Sequence, residues 1–167
     1  MGRIRKNGLD VVFLVDTSGS MGERELKLVE PELRGLHARG AHILVIHCDA
    51  AVAKVEEYSP YKGLEEFHGR GGTDYSDALM YLRDMHPRPS FLVGFTDGWG
   101  GIERYKQIIT TERNALWWDD YVASHPEESP DGIPSLWVIP EGCMSLTEFK
   151  QRIVPWGTAV IVKRDHS

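Results

Sequence analysis

The chain has 167 residues, the size of one domain, and its 41% hydrophobic and 26% charged residues are ordinary globular values that exclude wholesale disorder. Lys and Arg number 19 against 25 Asp and Glu, and the formal charge of −6 disfavours nonspecific nucleic-acid binding and anionic membrane surfaces, since both need a basic face. No apolar run approaches the roughly 18 residues of a membrane helix, and the two distant cysteines, Cys48 and Cys143, read as reduced thiols of a cytoplasmic protein.

The basic opening, Met1 to Asn7, resembles the start of a signal peptide. The apolar run after it, Val11 to Val15, is short and closed by Asp16, which a secretory segment would not tolerate. Leu9 to Val15 instead predicts a strand, and its lack of alternation suits a strand covered on both faces of a parallel sheet. Asp16-Thr17-Ser18-Gly19-Ser20-Met21-Gly22 is a polar loop. From Glu23 to Arg39, Leu26, Val29, Leu33 and Leu36 fall at helical spacing, and Pro31 inside the stretch predicts a kink or two abutting helices.

Ala41 to His47 reads as a second buried strand. Val52 to Tyr58 follows too closely for a crossover helix, so an antiparallel edge partner is the economical reading. Gly69 to Thr73 is a loop, and Ser76 to Met85 a helix with Ala78, Leu79 and Leu82 on one face. Phe91 to Phe95 is a third buried strand, ended by Thr96-Asp97-Gly98. Ser135 to Ile139 and Thr158 to Val162 are two more strands, separated by a short helix around Leu146 to Ile153. Such alternation predicts an α/β fold: a doubly wound, mostly parallel central sheet with one antiparallel edge strand and helices on both faces. Ile102 to Val122 reads as helix and carries Trp117, Trp118 and Tyr121, followed by an acidic, proline-rich loop from His125 to Gly132. The segment 102–132 is either a crossover helix with a long exit loop or an insertion within a single domain spanning 1–167. The three aromatics form either a partner-binding surface or ordinary helix packing.

Functional groups of open α/β sheets collect beyond the carboxyl ends of the strands. Three loops reach that edge here, and all carry small oxygen donors: Asp16, Ser18 and Ser20 on the first, Thr73 on the second, Asp97 on the third. Alternate residues of the first loop point the same way, so its three donors can converge. An all-oxygen set suits a hard divalent cation, Mg²⁺ by default with Mn²⁺ able to replace it. Taken alone, the Asp-x-Ser-x-Ser string also fits a helix-capping cluster. Asp49 and Asp74 stand where they could support the metal from behind, or could equally cap helices and loop amides. The seven histidines show no ligand spacing and no Cys-x-x-Cys pair exists, which argues against zinc.

Val12-Phe13-Leu14-Val15-Asp16-Thr17-Ser18-Gly19-Ser20-Met21 resembles the opening of a von Willebrand factor type A (VWA) domain. Such domains bear a metal-ion-dependent adhesion site, MIDAS, with the pattern Asp-x-Ser-x-Ser, then Thr, then Asp. Asp16, Ser18, Ser20, Thr73 and Asp97 occupy all five positions. The resemblance implies direct metal contacts from the two serines and the threonine, contacts from the aspartates directly or through water, and a final ligand from an acidic residue of a partner protein. Cys48-Asp49-Ala50, Gly71-Gly72-Thr73-Asp74, Phe95-Thr96-Asp97-Gly98, Leu136-Trp137-Val138 and Pro155-Trp156-Gly157 are similar to bacterial VWA-like domains that follow a metallopeptidase-like region. The partners implied by the resemblance include AAA ATPases and chaperone-like assemblies, with no nucleic acid and no membrane.

The function expected is thus a metal-dependent protein-binding module, not an enzyme. The alternative is a Mg²⁺-dependent phosphoester hydrolase, because an Asp at a strand end near Mg²⁺ is where phosphoaspartyl chemistry begins. Those enzymes keep a second acidic residue two positions on, where this chain has Ser18, and a Lys at a neighbouring strand end, where it has none. Several hydroxyl ligands without an evident base fit binding better than turnover.

Overall fold

A computed structural model describes residues 9–16, 23–48, 52–62 and 74–163. The strands β1 (Asp10–Asp16), β2 (His42–Cys48), β3 (Val52–Glu57), β4 (Phe91–Phe95), β5 (Ser135–Pro140) and β6 (Thr158–Val162) form one sheet in the order β3-β2-β1-β4-β5-β6. Every neighbouring pair is parallel except β2–β3, the antiparallel edge anticipated from the short connection between them. Around the sheet lie α1 (Glu23–Ala38), α2 (Ser76–Asp84), α3 (Glu103–Glu112), α4 (Ala115–Ser124) and α5 (Leu146–Arg152).

Handedness distributes the helices. The β1–α1–β2 crossover moves one way along the sheet and the units from β4 to β6 move the other, so right-handed connections put their helices on opposite faces. Val11, Phe13 and Val15 accordingly pack with Val29 and Leu33 of α1, while Val12 and Leu14 belong to the core shared by α2, α3, α4 and α5. Covered on both sides, β1 is buried from Val11 through Asp16, which explains why its sequence carries no polar alternation. Among the described residues no helix is long and apolar enough to cross a membrane.

Two helical expectations are refined. Of the kink or two abutting helices expected at Pro31, the division does not occur: α1 runs as a single helix through that residue. Pro31 lies on the exposed side, where the carbonyl deprived of its amide partner can bond water. The helix expected from Ile102 to Val122 is two helices, because Asn114 interrupts it and caps α4, its Oδ1 accepting the Trp117 N–H at 2.7 Å.

Candidate metal centre

Strand order reverses direction about β1 and β4, the place where open α/β sheets bind ligands at their carboxyl edge. Val15 pairs with Phe95 across these strands, so Asp16, the last residue of β1, stands opposite Thr96, and Asp97 lies one step beyond. On its other side Asp16 pairs with the buried Cys48 at the end of β2. Asp16 is fully buried and Asp97 is 6% exposed. Two carboxylates are thereby held at the switch point with little access to bulk water, an expensive placement for anions unless something compensates their charge.

Each is held by specific donors. The Thr96 hydroxyl donates to Asp16 Oδ2 at 2.7 Å. Thr96 Oγ1 in turn accepts the Gly98 N–H at 3.0 Å and meets the Tyr75 hydroxyl. Asp97 Oδ1 accepts the Trp99 N–H at 3.0 Å, and its backbone carbonyl accepts the Met144 N–H at 3.3 Å. Gly98 has φ +97°, and a Cβ there would stand 2.6 Å from Met144 Cβ, so this turn is open to glycine alone. Burial, reinforced by the Asp16 carboxylate, pushes the Tyr75 phenol well above its ordinary value.

Of the five expected ligands, the structure brings Asp16 and Asp97 to one edge; Ser18, Ser20 and Thr73 lie outside the described residues, as does Asp49. Asp74 makes bonds of the capping kind: Oδ1 accepts the Ser76 N–H at 2.8 Å and Oδ2 lies 3.4 Å from Arg104 Nε, while Arg104 also binds Asp77 at 2.6 Å. Asp74 and Asp77 therefore tie the start of α2 to α3. Thr96 and Tyr75 are the residues that sequence reasoning passed over. Strand parity carries the signal for Thr96, since its side chain must share a face with Asp16 once β1 and β4 pair in this register.

No group of three His, Cys, Asp or Glu side chains able to hold a metal occurs among the described residues. The predicted set contains only two carboxylates, and its other members are hydroxyls. The two described donors, Asp16 and Asp97, present oxygen only, which fits a hard divalent cation.

The three aromatics of α4, expected to form either a partner surface or helix packing, separate onto two faces. Trp118 points inward, 4% exposed, with Tyr105 and Trp156 at ring-centroid distances of 6.1 and 5.9 Å. Trp117 and Tyr121 are half-buried and lie in a ladder with Arg113 and His125. A docking surface there is reduced to that ladder, and the Tyr121 hydroxyl is already engaged, donating to Glu128 at 3.0 Å.

A family model described as a VWA-like domain (DUF2201) matches residues 11–110, a span that runs from the second residue of β1 past the end of β4 and includes Asp16 and Asp97. No curated protein matches the chain.

Proposed function

The chain belongs to the VWA-like domain family, and from that premise we propose that it is a metal-dependent protein-binding module. Asp16, Ser18, Ser20, Thr73 and Asp97 would hold Mg²⁺, or Mn²⁺ in its place, at the carboxyl edge of the sheet. Bound there, the cation would supply Lewis acidity toward an anionic oxygen, and a Glu or Asp of a partner protein would be its last ligand. With few carboxylates and several neutral hydroxyls, the set leaves much of the divalent charge uncompensated, so an external carboxylate is attracted strongly. AAA ATPases and chaperone-like assemblies are the partner class that the resemblance brings forward. The observation that carries the reading is the placement of two buried aspartates, Asp16 and Asp97, at the switch point of a VWA-like sheet.

Thermal unfolding across a Mg²⁺ titration tests it, on the wild type and a Ser18→Ala, Ser20→Ala double variant. With free metal a hundredfold above its dissociation constant, linkage stabilises the fold by about 2.7 kcal/mol. For a domain of this size that raises the midpoint by roughly 5–10 °C. A saturable rise in the wild type alone supports the site. Equal curves for the two proteins would refute it.

A further inference from the structure

Resting on the reading of this edge as a metal centre, we propose that Thr96 and Tyr75 are positioning residues, a polarised hydrogen-bond relay that sets the orientation of the Asp16 carboxylate toward the cation.

The direction of the relay follows from its chemistry. Among the described residues, Thr96 Oγ1 has three hydrogen-bonding neighbours: the Gly98 N–H at 3.0 Å, Asp16 Oδ2 at 2.7 Å and the Tyr75 hydroxyl. The amide can only donate and an ionised carboxylate can only accept. The single Thr96 proton therefore goes to Asp16, and the Tyr75 proton must go to Thr96. Two donors converge on Thr96, and its own O–H is polarised toward the carboxylate.

The outer end of the relay is fixed independently. Tyr75 is fully buried, its N–H donates to the Gly101 carbonyl at 2.8 Å, and its ring packs on Trp137 with centroids 5.5 Å apart. A Cβ on Gly100 would stand 2.2 Å from Tyr75 Cζ and 2.6 Å from its hydroxyl oxygen, so the phenol occupies room left by a missing side chain. Thr96 is 1% exposed. One buried chain of contacts thus links the entry to α2, two residues after Thr73, with the exit of β4 that carries Asp97 and the end of β1 that carries Asp16.

The donors are neutral, and that matters for a cation site. A lysine or arginine in the place of Thr96 would fix Asp16 equally well but cancel its charge. A hydroxyl fixes the geometry and leaves the negative charge for the metal. Groups that orient metal ligands in this way typically change metal affinity by about 10–100-fold when removed.

Isothermal titration calorimetry with Mg²⁺ on the full chain decides the matter, with melting in EDTA run in parallel to separate affinity from stability. Thr96→Val, which keeps the shape and removes the hydroxyl, should weaken Mg²⁺ binding about 10–100-fold. Thr96→Ser, which restores the hydroxyl, should bind like the wild type. Tyr75→Phe removes only the outer donor and should weaken binding by roughly 2–10-fold, the worth of one neutral hydrogen bond. Should Thr96→Val fail to fold, Tyr75→Phe carries the test. Variants that melt earlier in EDTA yet bind Mg²⁺ with wild-type affinity would overturn the relay and leave the metal site standing. A wild type that does not bind Mg²⁺ at all would overturn the metal reading and the relay together.

Discussion

Asp97 and Trp99 are joined across a two-residue turn: the Trp99 N–H donates to Asp97 Oδ1 at 3.0 Å while Trp99 as a residue is 65% exposed. The ring thus sits on the rim of the candidate site, with its backbone tied to one of the two described carboxylates.

Trp99 should therefore report occupancy of the site. Of the five tryptophans, Trp118, Trp137 and Trp156 are buried and Trp117 is half-buried beneath Arg113, so fluorescence accessible to acrylamide comes chiefly from Trp99. On the proposed function, Mg²⁺ drawn to Asp97 would compete with the Trp99 amide for carboxylate electron density and would shift the turn. Quenching of the wild type should change saturably with Mg²⁺, and that change should vanish in Trp99→Phe. A metal-dependent change that persists in Trp99→Phe would place the effect elsewhere in the fold.

Gly94 makes room for Trp137 at the centre of the sheet. The two are paired across β4 and β5, and a Cβ on Gly94 would come within 2.3 Å of the fully buried indole. Gly94→Ala should destabilise the domain by about 1–3 kcal/mol, since neither the strand nor the ring can retreat. Trp137→Phe shrinks the ring, so in a double-variant cycle the combined loss should be smaller than the two single losses added. Urea denaturation measures all four proteins. Strict additivity would show that the contact is not strained as described.

Much of this architecture is legible in the residues, and the exceptions have physical causes. β1 and β4 announce themselves because strands buried on both faces must be apolar throughout, and the polar clusters after them mark the functional edge. Asp16 and Asp97 could be placed from that rule alone. Thr96 could not, because its role depends on the register between β1 and β4, which no local pattern specifies. The match between Gly94 and Trp137 was hidden for the same reason. Asn114 was legible in principle, since asparagine is among the best helix caps, but the helical composition on either side outweighed it. At Pro31, tertiary packing of Val29 and Leu33 against the sheet sustains the helix through a residue that local propensity disfavours.

Adjacent tryptophans on α4 test how far helical geometry divides core from surface. Trp118 is 4% exposed and packs on Tyr105 and Trp156, whereas Trp117 stacks on Tyr121 with centroids 5.0 Å apart at the half-buried side. Trp118→Ala should cost about 3–5 kcal/mol, the range for truncating a large aromatic in a closed core. Trp117→Ala loses a ring stack and an Arg113 contact and should cost about 1–2 kcal/mol. Thermal or urea unfolding of the two variants gives the comparison directly. Equal losses would mean that the ladder side is as closed as the core.

Alkaline pH should loosen the far end of α4 through Tyr121. Burial, aided by the hydrogen bond to Glu128 and its charge, pushes the Tyr121 phenol up to about 12 from the usual 10. A raised value means that the folded state holds this proton more tightly than the unfolded chain does. Its contribution to stability is therefore complete below pH 10 and is lost as pH rises from about 10 to about 12. Subtracting the phenolate absorbance titration of Tyr121→Phe from that of the wild type isolates this one group among six tyrosines. The difference curve should centre near pH 12 in the folded protein and fall back toward 10 in urea. Between these limits the wild type should lose stability with pH more steeply than Tyr121→Phe, which has no proton to release there. A difference curve already centred at 10 in the folded protein would mean that neither burial nor Glu128 acts on the hydroxyl, and that the loop from Pro126 is not fastened to α4 at this point.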